Sequence, residues 1–112
     1  MLILRTLVDE KAISPEASRE MIDILLAQEH NDGIPAGLPP ATRVAHKTGW
    51  ITATWHDAAL VYPAGDPRPY ALVILSRGIP EEGRGKALQA DIARMAHAAI
   101  QDGRARMPGR RP

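Results

Sequence analysis

The chain has 112 residues, 45% of them hydrophobic, which allows a single domain with an ordinary packed core. Fourteen basic side chains against 13 acidic ones give a net charge of +1, so no strong field points to nucleic acid or to an anionic membrane. The absence of Cys removes disulfide frameworks and thiolate metal sites, and the absence of Phe leaves the core to aliphatic side chains and Ala.

The opening run, Met1 to Val8, is apolar but carries Arg5 and leads into Asp9-Glu10-Lys11. It lacks the basic lead and small-residue cleavage site of a signal peptide. Ile3, Leu4, Leu7 and Val8 have helical spacing, so a helix is predicted over 2–12. No apolar run is long enough for a membrane span. Ser14-Pro15-Glu16 is a helix start: a hydroxyl acceptor, a fixed first-turn φ, and a carboxylate at the positive end of the dipole. Ala17, Met21, Ile24, Leu25 and Gln28 then line one face, which Ile22 and Leu26 widen. Asn31-Asp32-Gly33 ends this helix, and the Pro- and Gly-rich stretch 31–41 is loop.

Three β-rich runs follow, at 43–50, 56–62 and 70–77, with a turn at Pro63 to Pro67. Their short connections predict an antiparallel meander, with a loop near 51–55 that places His46 opposite Leu60. Residues 78–85 are loop, and 86–101 form a last helix with Leu88, Ile92, Met95, Ala96 and Ala99 on its apolar side and Gly103 closing it. The expected fold is α+β, a three-stranded antiparallel meander with packed N- and C-terminal helices. Residues 1–103 form the domain portion, and 104–112 a flexible basic tail.

Lys47-Thr48-Gly49 closes the first strand. The tripeptide alone is a weak signal. Its surroundings strengthen it: an upstream helix and Gly37-Leu38-Pro39, then His56-Asp57 opening the next strand, a Pro-Gly turn, a third strand and a final helix. This order, from Met1 to about Gln101, resembles the C-terminal part of a class A β-lactamase or a related penicillin-recognising serine hydrolase, in which K-T-G is the third signature. The other two, S-x-x-K and S-D-N, do not occur here. The resemblance covers under half of a complete family member. A truncated reading frame or an internal Met chosen as start would account for both the missing motifs and the missing export signal.

The resemblance implies a β-lactamase/transpeptidase-like fold and a β-lactam or related acyl-amide substrate, with no cofactor. It also implies site roles. Lys47 supplies a fixed positive charge beside the nucleophile, and Thr48 a hydroxyl for a substrate carboxylate. Gly49 leaves the strand open for an acyl group to lie against it. The Trp50 N–H stands where the family places an oxyanion-hole donor, worth about 3 kcal/mol in other enzymes. Many class A enzymes have a small residue at that point, so the Trp50 indole would crowd the cleft and alter which acyl groups fit. Read without the resemblance, Lys47 is a charge that discourages edge-strand aggregation, and Trp50 a half-buried aromatic over a hairpin.

His46, His56 and Asp57 form no compact metal-ligand motif, so no metal is expected. Asp57 is expected to accept from backbone N–H groups at the strand start, and His46 to be structural or substrate-adjacent. His30 and His97 read as ordinary helix residues. The arginines at 104, 106, 110 and 111 read as a solvated tail rather than a nucleic-acid or lipid contact. Walker-type phosphate binding is excluded because no Gly-x-x-x-x-Gly loop precedes Lys47. Two functions follow. One is the K-T-G wall of a serine hydrolase, without its nucleophile. The other is a non-catalytic module pairing with a missing N-terminal half or as a homo-oligomer. Compartment is open, since related enzymes are often exported.

Overall fold

The computed structural model describes residues 1–107. Its elements are α1 (Leu2–Val8), α2 (Pro15–Leu26), a 3-10 turn (Ile34–Gly37), β1 (Arg43–Ile51), β2 (Thr54–Tyr62), β3 (Tyr70–Arg77) and α3 (Glu82–Ala105). The three strands form one antiparallel sheet in the order β1-β2-β3.

The Ser14 start is realised as expected. Its Oγ accepts from the Ala17 N–H at 3.0 Å with Pro15 in the first turn, a cap worth about 1 kcal/mol. Buried Ser18 ties α2 back to the preceding turn: its Oγ accepts from the Ala12 N–H and donates to the Ala12 carbonyl. α2 stops at Leu26, earlier than its pattern suggests, and Ile24 points outward at 72% exposure. The residues after it, 27–33, form a loop that runs to the end of β1.

The β1–β2 hairpin is tighter than its sequence suggests. Ile51 pairs with Thr54, leaving Thr52-Ala53 as a two-residue loop. Ala53 takes φ +55, the left-handed turn position usually filled by Gly or Asn. The absence of those residues hid the turn. As a result β2 begins at Thr54 rather than His56, and His46 pairs with Ala59 rather than Leu60.

Register divides the sheet into two faces. On the first, Ala59, Val61 and Ile74 pack with Ile34, Leu38 and Ala93, beneath the 3-10 turn and α3. On the second, Ala45 and Leu60 pack with Leu4, and with Ile22, Leu25 and Leu26 of α2. Helices cover the second face over only part of the strands. Exposed Lys47, Gly49, Ile51 and Leu75 lie beyond that cover.

α3 is longer than predicted, and its buried stripe is displaced from the predicted one, although Ile92 packs against the first cluster as expected. Gly85, Gln89, Ala90 and Ala93 are buried, while Met95 is 67% exposed. Close approach explains the choice of small residues. A Cβ at Gly37 would overlap the Ala90 backbone, and one at Gly85 would overlap the Trp55 ring. At its other end α3 passes through Gly103 to Ala105. The helix therefore does not close at Gly103 as expected. The Arg104 guanidinium donates to Asp66 Oδ2 at 3.1 Å and to the Arg68 carbonyl at 2.8 Å, fastening the last turn to the β2–β3 connection. Arg106 pairs with Asp102. The rest of the proposed tail, 108–112, lies outside the described residues.

Candidate functional site

β1 is an edge strand, and Lys47-Thr48-Gly49 sits on it near the hairpin. Lys47 is exposed on the second face, and its Nζ donates to the Thr48 carbonyl at 2.6 Å. Thr48 lies on the first face, opposite Asp57. Gly49 is exposed, and a Cβ added there would meet nothing within 4 Å. Its φ is not left-handed either. Neither packing nor backbone conformation in this chain calls for glycine at this position.

Behind the strand lies a buried polar network. His46 and Asp57 are both fully buried. His46 Nδ1 is 2.8 Å from Asp57 Oδ1, and its Nε2 is 3.0 Å from Asn31 Oδ1. Asp57 Oδ2 also accepts from the Ile34 N–H at 3.2 Å. Asp57 thus does accept from a backbone N–H, but from the 3-10 turn rather than the strand start. Its two oxygens join β1, β2 and that turn. A side chain on Gly33 would press into this network, against Asp57 and Gln89. Among the described residues no group of three or more His, Asp or Glu is arranged to hold a metal ion.

Trp50 is 49% exposed and does not simply fold over the hairpin. The His30 ring meets its indole edge to face, centroids 5.1 Å apart. The Lys86 ammonium stands 5.8 Å from the indole centroid. Lys86 also bonds Asp32 Oδ2 at 2.8 Å and Glu82 Oε1 at 2.7 Å. The hydrogen bond to Lys86 lowers the Asp32 pKa, and the bonds to Asp32 and Glu82 raise that of Lys86. His30 is therefore on a loop beside the K-T-G strand, not an ordinary helix residue. His97 is likewise more than a helix-face residue: the Tyr70 hydroxyl lies 2.6 Å from its Nδ1. Burial pushes the Tyr70 phenol up to about 12. Asn31, Asp32 and Lys86 escaped sequence reasoning because their partners lie 15 to 54 positions away and no local motif joins them.

The three-stranded antiparallel sheet with helices on both faces is part of a β-lactamase-type fold. The sequence pattern of the beta-lactamase enzyme family matches residues 1–100, and the chain belongs to that family. No curated protein matches the chain. Among solved structures it is similar to PBP-A, with 27% identity over 89% of this chain and 37% of that one, at a TM-score of 0.78. A variant of the last common ancestor of Gram-negative bacteria β-lactamase class A matches at 30% identity over 89% of this chain and 38% of that one, TM-score 0.78. A β-lactamase from Sphaerobacter thermophilus shares the fold at 22% identity and a TM-score of 0.79, over 88% of this chain and 37% of that one. The chain spans less than two fifths of the length of each of these structures. No helix among the described residues is long and apolar enough to cross a membrane.

Proposed function

We propose that this chain forms the K-T-G wall of a serine hydrolase acting on β-lactams or related acyl amides through an acyl-enzyme. The observation that carries the reading is Gly49. Its own fold leaves the glycine unexplained, since a Cβ there would meet nothing within 4 Å. An acyl group lying along the free edge of β1 explains it, because a side chain would obstruct that approach. Lys47 then supplies positive charge toward the nucleophile, Thr48 a hydroxyl for the substrate carboxylate, and the Trp50 N–H an oxyanion donor. Family membership supports the assignment, as does the likeness to PBP-A, a mutant of which forms an acyl-enzyme complex with penicillin G.

The nucleophile must come from outside these residues. The serines here are Ser14, Ser18 and Ser76, and none has Lys three positions on. Exposed Ile51 and Leu75, at 74% and 70%, favour a covering segment over the open half of the sheet. That segment would carry the attacking Ser and its partners.

The test has two arms, read by intact-mass spectrometry with a fluorescent penicillin. The chain alone should form no adduct. A chimera in which residues 1–101 replace the matching part of PBP-A should be labelled at one Ser. A folded chimera that takes no label would show that this chain cannot serve as the wall. A stoichiometric adduct on the chain alone would refute the division of labour.

A further inference from the structure

Trp50 is held from two directions by side chains that are remote in sequence. His30 comes from the loop after α2, and its ring meets the indole at 78° with centroids 5.1 Å apart. Lys86 comes from the first turns of α3, its ammonium 5.8 Å from the indole centroid, within the range of a cation–π contact. Lys86 is itself restrained. Two carboxylates bind its Nζ, Asp32 at 2.8 Å and Glu82 at 2.7 Å, and only 19% of its side chain is exposed. Asp32 lies on the same loop as His30, so a single ion pair fixes that loop to α3 with the indole between them.

An indole on an edge strand with half its surface in water has several staggered rotamers open to it. An edge-to-face ring and a restrained cation together select one. Trp50 also follows Gly49 directly, where the strand is otherwise bare. We propose that His30 and Lys86 are positioning residues that hold the Trp50 indole in one orientation beside the K-T-G strand. They thereby set the room on the face of β1 that Trp50 shares with Thr48, and disfavour β-lactams with a bulky substituent beside the ring carboxylate. The part concerning substrates rests on the reading of β1 as a substrate wall. The part concerning the indole does not.

The positioning part can be tested on the full chain, with no catalysis required. Incorporation of 5-fluorotryptophan gives one ¹⁹F resonance each for Trp50 and Trp55, and Trp50→Phe assigns them. Trp55 is an internal control for the fold, since it is buried and its Nε1 donates to the Ile79 carbonyl. In Lys86→Met and in His30→Leu the Trp50 resonance should lose its single narrow line, while Trp55, its cross-strand neighbour, keeps one narrow line. Lys86→Arg, which retains the cation, should restore the narrow line in part. A Trp50 line unchanged in width and position in both Lys86→Met and His30→Leu would overturn the positioning role. Titration of the PBP-A chimera, in which Trp50→Phe again assigns the resonance, supplies the second readout, with two cephalosporins that share one acyl group and carry a small or a bulky substituent at the carbon beside the carboxylate-bearing one. The chimera with wild-type His30 and Lys86 should respond more strongly to the compound with the small substituent, and the two variants should lose that preference. An unchanged preference would overturn the specificity role. If neither compound moves Trp50 in the wild type while the variants broaden it, the positioning role stands and the substrate-wall reading fails. The reverse pattern, a response to β-lactam with no effect of either variant, retains the wall and removes the positioning role.

Discussion

Asp57 shows how much one buried carboxylate can organise. Its oxygens hold the His46 ring and the Ile34 N–H, so it joins two strands and the 3-10 turn directly behind the K-T-G segment. Removing it would strand a buried imidazole and a buried N–H together. Asp57→Ala should therefore cost about 3–5 kcal/mol, as for other broken buried pairs, measured by urea unfolding. A loss below about 1 kcal/mol, the level of a surface ion pair, would show that the network is not structural. The sequence made His46 and Asp57 conspicuous, but not as partners. Their meeting depends on a hairpin register fixed by Ala53, whose positive φ no local residue type announced. Lys47, Thr48 and Gly49 were legible because they are contiguous. Lys86 and Asp32 were not, being 54 positions apart.

At the level of elements, the strands and their order could be read from alternation and turn residues. The face of α3 could be read only in part: Ile92 packs against the first core cluster as expected, while Leu88 and Met95 are exposed. Leu88 and Met95 drew the apolar stripe toward themselves, whereas close packing against the 3-10 turn and Trp55 requires Gly85 and Ala93 on the inside. Two substitutions separate these alternatives. Met95→Lys should change stability by no more than about 0.5 kcal/mol, as expected of an exposed position. Ala93→Leu should cost about 1–3 kcal/mol through overpacking. The opposite ranking in thermal melts would restore the stripe read from sequence. The far end of the same helix carries a pH signature. The Arg68 guanidinium, the Arg68 N–H and then Arg104 hold the Asp66 carboxyl well below the ordinary carboxylate range. A folded-state pKa depressed in this way stabilises the fold above the unfolded value of about 4, and that contribution is lost as the pH falls further. The gap in melting temperature between wild type and Asp66→Asn should thus be full at neutral pH and narrow below about pH 4. A gap that stays constant into acid would show that the latch does not depend on the carboxylate.

For the whole molecule, the architecture is that of a sheet only partly enclosed. Ile51 and Leu75 are exposed at 74% and 70%, on the part of the second face beyond the cover of α1 and α2. The chain belongs to the beta-lactamase enzyme family while spanning less than two fifths of the matching solved structures. The proposed site lies on the rim of that open part of the sheet. The claim that Lys47 belongs to the chemistry is tested most directly in the PBP-A chimera, by measuring acylation rate and melting temperature together for Lys47→Ala and Lys47→Arg. An exposed edge-strand Lys has little packing to lose, so stability should change by no more than about 0.5 kcal/mol. Acylation should fall on the order of 10²-fold or more in Lys47→Ala, as when a preorganised charge is removed from a transition state. Lys47→Arg should recover part of the rate, because the charge returns with different geometry. Unchanged acylation in Lys47→Ala, or a loss wholly accounted for by unfolding, would contradict the assignment.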